Sequence, residues 1–437
     1  MYHSRIHAPS ELIVTPPSYS SVLREFLTGR MLVAALMGFA SGLPLLLTIT
    51  LLQAWLTEAG VSLGEIGLFA LIGIPYTVKF LWAPFMDRYV PPLLGRRRGW
   101  LFILQLLLAA SIIGLGQTDP HRNLMLVAVL ALLVALFSAM QDTVIDAYRR
   151  ESLADDEQGL GASLYVWGYR VGMLIASGGG LILAQYTGFA MTYAIMALLM
   201  LPALATTLFA PEPANHHPVP PNLRVAVVGP FVDFFINRHN AVLILLFILL
   251  YKLGDTLATT MTTPFYLELG YSKADIGAVV KLFGFWATVL GGVIGGIGIL
   301  RIGQYRALWL FGLLQALSTA GFAWLVHTGP VLGWLAVVIA FENFTGGMGT
   351  AAFIGFMANL TNKEFTATQY ALLTSLMGVP RTLLAASTGF MATSLGWAGF
   401  FVTCALLAIP GLWLLTRFRG WLSEPATETA VPAEQET

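Results

Sequence analysis

The segment LMLVAVLALLVALFSAMQDTVIDAYRR, residues 124–150, joins a continuous apolar run to a row of polar and charged residues. Ser138, Asp142, Asp146 and Arg150 recur at every fourth position, so on a helix they share one face over a length of roughly 18 Å. Two carboxylates one turn apart inside a membrane need a cation, a proton or a water-filled cavity. The stripe therefore predicts either a polar helix end at the membrane surface or, above all for the deeper Asp142, a proton or substrate site on a channel wall.

The composition is that of a polytopic helical membrane protein. The 437 residues are 57% hydrophobic and only 11% charged, whereas soluble domains carry about 25% charged residues. The apolar runs are continuous and of roughly 20 residues, the length that a spanning helix needs. The single cysteine, Cys404, excludes a disulfide framework and a cysteine-based metal site. All seven histidines lie outside the predicted spans or at their edges, which argues against a membrane-embedded enzyme, and we expect no cofactor.

The fold class predicted is all-α, with twelve transmembrane helices in two pseudo-symmetric halves. We place the spans at 31–55, 63–86, 99–117, 122–148, 161–185, 189–209, 241–265, 275–299, 304–326, 331–358, 366–392 and 396–417. The organisation along the chain is an N-terminal cytoplasmic tail (1–30), an N-terminal six-helix half (31–209), a proline-rich cytoplasmic linker (210–240), a C-terminal six-helix half (241–418) and an acidic tail (419–437) that we expect to be disordered.

Lysine and arginine residues are unequally distributed across the predicted membrane. Sixteen of the 23 lie in the tails, the linker and the even-numbered loops, two lie on the other side, and five lie within the spans. Because basic loops are retained in the cytoplasm, both termini are predicted to be cytoplasmic.

The two halves share short sequence patterns at a constant offset. SLGEIG at 62–67 recurs as SKADIG at 272–277, and Arg170 with ASG at 176–178 recurs as Arg381 with STG at 387–389. An offset of 210 or 211 residues equals one six-span unit. The pattern indicates two parallel repeats related by an axis along the membrane normal.

Beyond the first three positions of each span and before its last position, nine charged residues fall within predicted spans: Lys79, Asp142, Asp146, Arg170, Lys252, Asp255, Lys281, Glu342 and Arg381. Each costs about 2.5–3.5 kcal/mol at a helix centre on insertion scales, so leaving all of them in lipid would cost roughly 20–30 kcal/mol. That exceeds the whole stability of a typical domain, about 5–15 kcal/mol. Most of them must therefore pair or line a wet cavity.

The role of five of these charges stays open between alternatives. Lys252 and Asp255 form either a local ion pair or, as we prefer, a cavity-lining pair at the interface of the halves. Lys79 either lines the cavity or extends to the cytoplasmic surface, and Lys281 is expected to extend outward to the membrane surface. Glu342 is either a proton carrier or the partner of a nearby base.

Small residues and a charged loop are candidates for gating. Gly38, Gly42 and Pro44 give the first span a small-residue face and a kink, which serve close helix packing or a moving gate. The loop after the second span, DRYVPPLLGRRR, begins with Asp87 and Arg88. An Asp-Arg pair followed by glycine and an arginine cluster is similar to the cytoplasmic signature of the major facilitator superfamily.

A larger set of motifs covers both halves. They are GFASGLP (38–44), LQAW (52–55), KFLWAP (79–84), MDRY (86–89), GRRRGW (95–100), QDxxxDA (141–147), GYRxGML (168–174), APEP (210–213), LYKLGD (250–255), GGMGT (346–350) and ATQxALL (367–373). As a set they resemble the AmpG muropeptide permease family. The resemblance implies a major facilitator fold and a proton-driven importer of GlcNAc-1,6-anhydroMurNAc and its peptides. It also implies a Gram-negative inner membrane, and roles in peptidoglycan recycling and β-lactamase induction.

Muropeptides carry carboxylates, an amine and many hydroxyl groups, and the intramembrane side chains are candidates to bind them. We expect Lys79, Arg170, Lys252 and Arg381 to bind carboxylates, Asp142 or Asp255 to bind the amine, and Gln53, Trp55, Tyr76, Gln141, Trp167 and Tyr169 to contact hydroxyls and sugar faces. For proton coupling we favour Asp142 with Asp146, because neighbouring like charges raise a carboxyl pKa. Asp255 and Glu342 are the alternatives.

The expected partners are a small-molecule substrate, protons and the lipid bilayer, with no nucleic acid, and the expected state is a monomer. Residues alone do not fix the direction of transport or the substrate. The alternative function is therefore a proton-coupled exporter or importer of another amphiphilic small molecule.

Overall fold

The computed structural model describes residues 28–79, 82, 85–86, 89–153, 157–213, 241–359, 378 and 380–418. Within these ranges the chain is helical and forms no strand. The helices are α1 (Gly29–Glu58), α2 (Leu63–Thr77), α3 (Arg96–Gly116), α4 (Leu124–Ser152), α5 (158–187), α6 (189–209), α7 (Ala241–Glu268), α8 (Lys273–Ile302), α9 (Gln304–Thr328), α10 (Leu332–Asn359), α11 (380–395) and α12 (397–418).

The twelve predicted spans are confirmed. In the part of the chain that the structure describes, nine helices are long and apolar enough to cross a membrane, and α2 is a shorter apolar helix. Two of the nine contain a sharp turn at Gly188 and Gly396, where φ is 76° and 66°. Glycine tolerates this left-handed backbone, so each long helix divides into two spans. The two tails and residues 214–240 of the linker lie outside the described residues, as does the beginning of the eleventh predicted span.

The repeat at offset 210 has a similar backbone in both copies. Helices α1 and α7 end with glycine at positive φ, Gly60 at 70° and Gly270 at 94°. Two residues later, Ser62 and Ser272 cap the N-termini of α2 and α8, each with a capping box formed with the acidic residue three positions on. The prediction of two repeated halves is confirmed at this junction.

The halves cross each other through glycines at the end of the bundle that was predicted to be periplasmic. A Cβ on Gly67 of α2 would lie 2.8 Å from the backbone N of Gly389 in α11, and a Cβ on Gly277 of α8 would lie 2.8 Å from the carbonyl oxygen of Gly178 in α5. Only glycine permits such close approach of two backbones. We call these four residues the glycine crossings.

A lysine of the C-terminal half also enters the N-terminal half at this end. Lys273, the first residue of α8, is 8% exposed and forms an ion pair with Glu58 of α1. Its ammonium group lies 4.8 Å from the ring centre of Phe189, and its backbone N–H donates to the side chain of Gln185 at 3.2 Å. We call these four residues the latch. With the glycine crossings, the latch closes the bundle at the predicted periplasmic end.

The opposite end is held within the N-terminal half by carboxylates. Glu212 accepts hydrogen bonds from the backbone N–H groups of Arg97 and Arg98, at 2.7 and 3.0 Å, at the beginning of α3. Glu151 of α4 accepts from the Arg97 guanidinium at 2.6 Å. A carboxylate at a helix N-terminus satisfies free N–H groups and the positive end of the helix dipole, so the segment after α6 is fixed to α3.

Candidate functional site

A cavity with two lobes lies between the halves. The α2/α11 lobe has a volume of about 420 Å³ and is lined by side chains of α1, α2, α4, α5, α7 and α11. Its polar lining includes Gln53, Tyr76, Lys79, Asp142, Tyr169 and Arg381. Six of the predicted substrate-binding residues are therefore brought together, although they come from five different helices.

The α5/α8 lobe has a volume of about 620 Å³. Its polar lining includes Tyr169, Arg170, Lys281, Thr288, Glu342 and Asn343. Tyr169 lines both lobes. The repeat-related arginines Arg170 and Arg381 lie in different lobes, as expected if the pseudo-two-fold axis passes between them.

Asp142 faces the α2/α11 lobe with unsatisfied polar atoms around it. Its Oδ1 atom is buried and has no hydrogen-bond partner among the described residues, and the same holds for the hydroxyl group of Tyr76. Lys79 is close enough to interact electrostatically with the Asp142 carboxyl group. Buried polar atoms are nearly always hydrogen-bonded, so this wall of the lobe needs water or a ligand.

The cations of the α2/α11 lobe exceed its carboxylates. Lys79 and Arg381 are both exposed to the lobe, and neither forms an ion pair within the described part of the chain. Asp142 is the acidic residue of the described lining. Two cations with one carboxylate suit a ligand that carries more negative than positive charge.

Lys252 and Asp255 form the local ion pair that we considered as the alternative. The ammonium group of Lys252 lies 3.1 Å from Asp255 Oδ2 and donates to Gln315 Oε1 at 2.9 Å. Both side chains are mostly buried, and neither lines one of the two lobes. The pair lies behind the cavity wall rather than in it.

Glu342 and Lys281 both line the α5/α8 lobe. The expectation that Lys281 extends to the membrane surface was wrong. It lies on the face of α8 that is turned to α5. Gly178 of α5 leaves room for it there, because a Cβ added to Gly178 would lie 3.2 Å from the Cβ of Lys281. Glu342 is 5% exposed, and the Asp255 carboxyl group is close enough to interact with it electrostatically.

Gln141 is placed between helices rather than in a lobe. It is fully buried, and its Nε2 atom donates to the carbonyl oxygen of Ala40 at 2.9 Å. In a regular helix that carbonyl would accept from the N–H of residue 44, but Pro44 has none. Gln141 therefore supplies the hydrogen bond that the proline removes and joins α4 to α1 at this kink.

Two other predicted residues lie at the margin of the site. Asp146 is one turn beyond Asp142 but lines neither lobe, and its nearest basic atom is on Arg149 at 4.0 Å. Trp167 lines a separate crevice between α5 and α8, opposite Trp286, and is 60% exposed. Their roles in coupling and in substrate binding stay predictions.

The small residues of α1 are packing residues in this structure. A Cβ on Gly38 or Gly42 would lie 2.0 Å from the carbonyl oxygen of Tyr165 or Tyr169 in α5, respectively. The two backbones are in direct contact, and close packing is the interpretation that the structure supports. Gating by these residues stays a prediction. Asp87 and Arg88 lie outside the described residues.

Residues 31–384 match the model of the family described as Major Facilitator Superfamily. The Anhydromuropeptide permease of Escherichia coli K12 is 45% identical over 398 residues, which cover 91% of this chain and 81% of that protein. The Putative transporter AmpG 4 of Rickettsia conorii is 34% identical, over 87% of this chain and 94% of that protein. The chain belongs to the AmpG family of the major facilitator superfamily.

Solved structures agree with the fold of this AmpG-family protein. An inward-facing, unoccupied bacterial homologue of the human lysosomal transporter Spinster superposes with a TM-score of 0.73 at 13% identity, over 91% of this chain and 98% of that chain. The inward-open xylose transporter of E. coli superposes with a TM-score of 0.64 at 12% identity, over 91% and 96% of the two chains. The protein is thus a multi-pass membrane transporter with a major facilitator fold.

Sequence reasoning missed several residues that shape the site of this AmpG-family transporter. The latch pair Lys273 and Glu58 was not assigned, because the partners are 215 positions apart. Gln315, which holds the Lys252 ammonium group, was also missed. The one signal available for it was an amide side chain in the middle of an apolar span, which needs an internal partner in a membrane.

Proposed function

We propose that this AmpG-family protein imports anhydromuropeptides, that is GlcNAc-1,6-anhydroMurNAc and its peptides, into the cytoplasm with protons. The observation that carries the proposal is the 45% identity over 91% of the chain to a protein named Anhydromuropeptide permease. The resemblance extends through both halves, so it includes the helices that form each lobe of the cavity. An inner-membrane location with cytoplasmic termini, peptidoglycan recycling and β-lactamase induction belong to the same proposal.

The cavity has a size and a charge that support this substrate class. Ligand pockets are commonly about 300–1,000 Å³, and lobes of about 420 and 620 Å³ together reach the upper end of that range. A muropeptide is a disaccharide with a peptide that bears carboxylates and an amine. In our proposal Lys79, Arg381 and Arg170 bind the carboxylates, and Asp142 binds the amine.

The aromatic and amide groups of the cavity support binding of the sugars. Tyr76, Tyr169 and Gln53 line the α2/α11 lobe together. Gln53 also donates to the backbone oxygen of Thr260 in the other half at 2.9 Å. A substrate that replaces this hydrogen bond would act on both halves at once.

Transport would proceed by rocking of the halves about the cavity. With the latch and the glycine crossings closed, the cavity is shut at the predicted periplasmic end. For an importer this arrangement corresponds to release of substrate into the cytoplasm. Loading from the periplasm then requires the latch to open.

The test is uptake of labelled GlcNAc-1,6-anhydroMurNAc by cells that lack their own permease. We expect this protein to restore uptake, and a protonophore to abolish it. Asp142→Asn should raise KM about 10- to 100-fold, because a charged hydrogen bond contributes about 1.5–3 kcal/mol. Asp146→Asn is the matched control, since it removes a carboxylate one turn away and outside both lobes.

Three outcomes would contradict the proposal. If the wild type carries no muropeptide, the substrate assignment is wrong. If Asp142→Asn and Asp146→Asn behave alike, Asp142 does not bind substrate. If substrate enters inverted vesicles rather than right-side-out vesicles, the protein is an exporter.

A further inference from the structure

The carboxyl group of Glu342 is short of hydrogen-bond donors. It is 5% exposed, and its Oε2 atom is buried without a partner in the described part of the chain. The hydroxyl group of Thr319 lies 3.5 Å from Oε1, but it lies closer, at 3.0 Å, to the backbone oxygen of Gln315. A hydroxyl group has one hydrogen to donate, so Glu342 receives at best a weak hydrogen bond from it.

Glu342 has another acid, Asp255, as a charged neighbour. The negative charge of the Asp255 carboxyl group acts on that of Glu342. Two ionised carboxylates are both acceptors, so a hydrogen bond between them forms only when one of them carries a proton. The single ammonium group of the cluster, on Lys252, is held by Asp255 and Gln315 at 3.1 and 2.9 Å.

Charge counting gives the same result. With Asp255 and Glu342 ionised and Lys252 protonated, the cluster carries one net negative charge away from bulk water. One added proton makes it neutral. Because an uncompensated buried charge is far more costly than a neutral hydrogen-bonded pair, the neutral form is favoured while the pair is shielded from water, and loss of the proton requires water to reach Glu342.

We infer that Glu342, sharing its proton with Asp255, is the site that carries the coupling proton. The inference rests on the proposed function and deepens it by naming the coupling site. Glu342 lines the α5/α8 lobe, so the proton enters and leaves through the substrate cavity. The proton adds to the Glu342 carboxylate when the cavity faces the periplasm, and it dissociates to water when the cavity faces the cytoplasm.

The other titratable groups around the pair do not supply a second cation to it. Those that face the cluster or share its lobe are Lys252 and Tyr266 on α7, Lys281 on α8, Cys404 on α12, and Tyr169 and Arg170 on α5. Among the described residues, no ion pair joins Lys281 or Arg170 to Glu342. These two cations remain available to substrate carboxylates in the same lobe.

Asp142 differs in its surroundings. It shares its lobe with the cations Lys79 and Arg381, whereas Glu342 has a second acid, Asp255, as a neighbour, and we assign the substrate amine to Asp142. The two acids therefore have different roles. Asp142 binds the substrate, and Glu342 binds the proton.

The experiment uses the full-length protein in liposomes and labelled GlcNAc-1,6-anhydroMurNAc. Accumulation is measured under a gradient of one pH unit, which supports about tenfold accumulation for each proton coupled, because a tenfold ratio corresponds to about 1.4 kcal/mol. Glu342→Gln should lower the accumulation ratio about tenfold, to the ratio that is measured without a pH gradient. Asp119→Asn should keep the wild-type ratio, because the Asp119 carboxylate pairs with Arg122 in an exposed loop outside the cavity.

A second readout needs no substrate. The infrared band of protonated carboxyl groups is followed during a pH titration of the purified protein. We expect Glu342→Gln to remove a titrating band that Asp119→Asn retains. If Glu342→Gln does not fold, Asp255→Asn replaces it, since it breaks the same shared proton.

The outcomes separate this inference from the proposed function. If the folded Glu342→Gln protein still accumulates substrate like the wild type, or keeps the titrating band, the inference is overturned. If the wild type carries no muropeptide but the band is lost in Glu342→Gln alone, the substrate assignment fails and the proton site stands.

Discussion

Replacing Lys273 with methionine should shift the transporter toward a state that is open at the predicted periplasmic end. The ammonium group of Lys273 pairs with Glu58 and lies 4.8 Å from the ring centre of Phe189. The Lys273 side chain is 10% exposed but that of Glu58 is 54% exposed, so the pair resembles a surface ion pair, which contributes about 0.2–1 kcal/mol. A cation–π contact adds about 0.5–2 kcal/mol. We expect a loss of about 1–2 kcal/mol from the closed state, a factor of about 5–30 in the open-to-closed ratio.

The assay is labelling of a cysteine inside the closed cavity by a membrane-impermeant maleimide, in right-side-out vesicles. Thr262 lines the α5/α8 lobe and is 7% exposed, so Thr262→Cys is a conservative reporter. Cys404 is the one native cysteine, and Cys404→Ala removes its background. The labelling rate should rise about 5- to 30-fold in Lys273→Met.

A double-mutant cycle with Glu58→Gln isolates the ion pair. The double variant should label little faster than the faster single variant. The control is Arg122→Met at the same end of the bundle, because Arg122 is 87% exposed and pairs with Asp119 of its own loop at 3.2 Å. Our reasoning is refuted if Lys273→Met labels at the wild-type rate, if the two substitutions act additively, or if Arg122→Met has the same effect.

Three further substitutions test other parts of the structure. Gly389→Ala would place a Cβ 1.7 Å from a backbone oxygen, whereas a Cβ on Gly292 meets nothing within 4 Å. In the labelling assay Gly389→Ala should open the periplasmic end, and Gly292→Ala should leave the labelling rate unchanged. Equal labelling rates in the two variants would refute the role of the crossing. Glu212→Ala leaves the N–H groups at the beginning of α3, including that of Arg97, without their acceptor. The loss should lower the free energy of unfolding by about 1–3 kcal/mol and lower the Tm in detergent. An unchanged Tm would contradict this. Arg381→Ala should raise the KM for a muropeptide about 10- to 100-fold with kcat little changed, because a charged hydrogen bond contributes about 1.5–3 kcal/mol. A fall in kcat at constant KM would assign Arg381 to the conformational step instead.

The number and position of the spans could be predicted from the sequence because hydrophobicity alone decides them. A run of apolar residues long enough to cross the bilayer has one stable arrangement there, a helix with all backbone groups satisfied. The cavity members Lys79, Asp142 and Arg381 were predictable for the same reason. A charge inside a span must face a partner or water, whatever the rest of the fold does.

Which face a polar residue presents could not be read from its own helix. Gln141 was expected in the site, but it binds the carbonyl that Pro44 leaves free, and that requirement is set by another helix. Lys281 was expected at the surface, but the missing side chain of Gly178 makes room for it beside the cavity. Both outcomes depend on pairings between helices that are distant along the chain, and no local pattern encodes them.

The glycine crossings have the contact pattern of a symmetric dimer. Position 67 of the first repeat contacts position 389 of the second repeat. Position 277 corresponds to 67, and position 178 corresponds to 389. These two corresponding positions also contact each other. In an isologous interface, residue i of one subunit contacts residue j of the other and the reverse. The crossings are thus what two identical six-helix chains would form about a two-fold axis.

When two such chains are fused into one, the residues of each copy of a contact can change independently of the other copy. Lys273 occupies the position that corresponds to Leu63 in the first repeat, so the ion pair to α1 has no counterpart on the α2 side. Among the described residues, the seam at Lys273 therefore separates an ion pair when it opens, and no ion pair crosses the α2/α11 seam. Added salt should ease the opening of the first seam and leave the second unaffected, which a dimer of identical halves could not achieve.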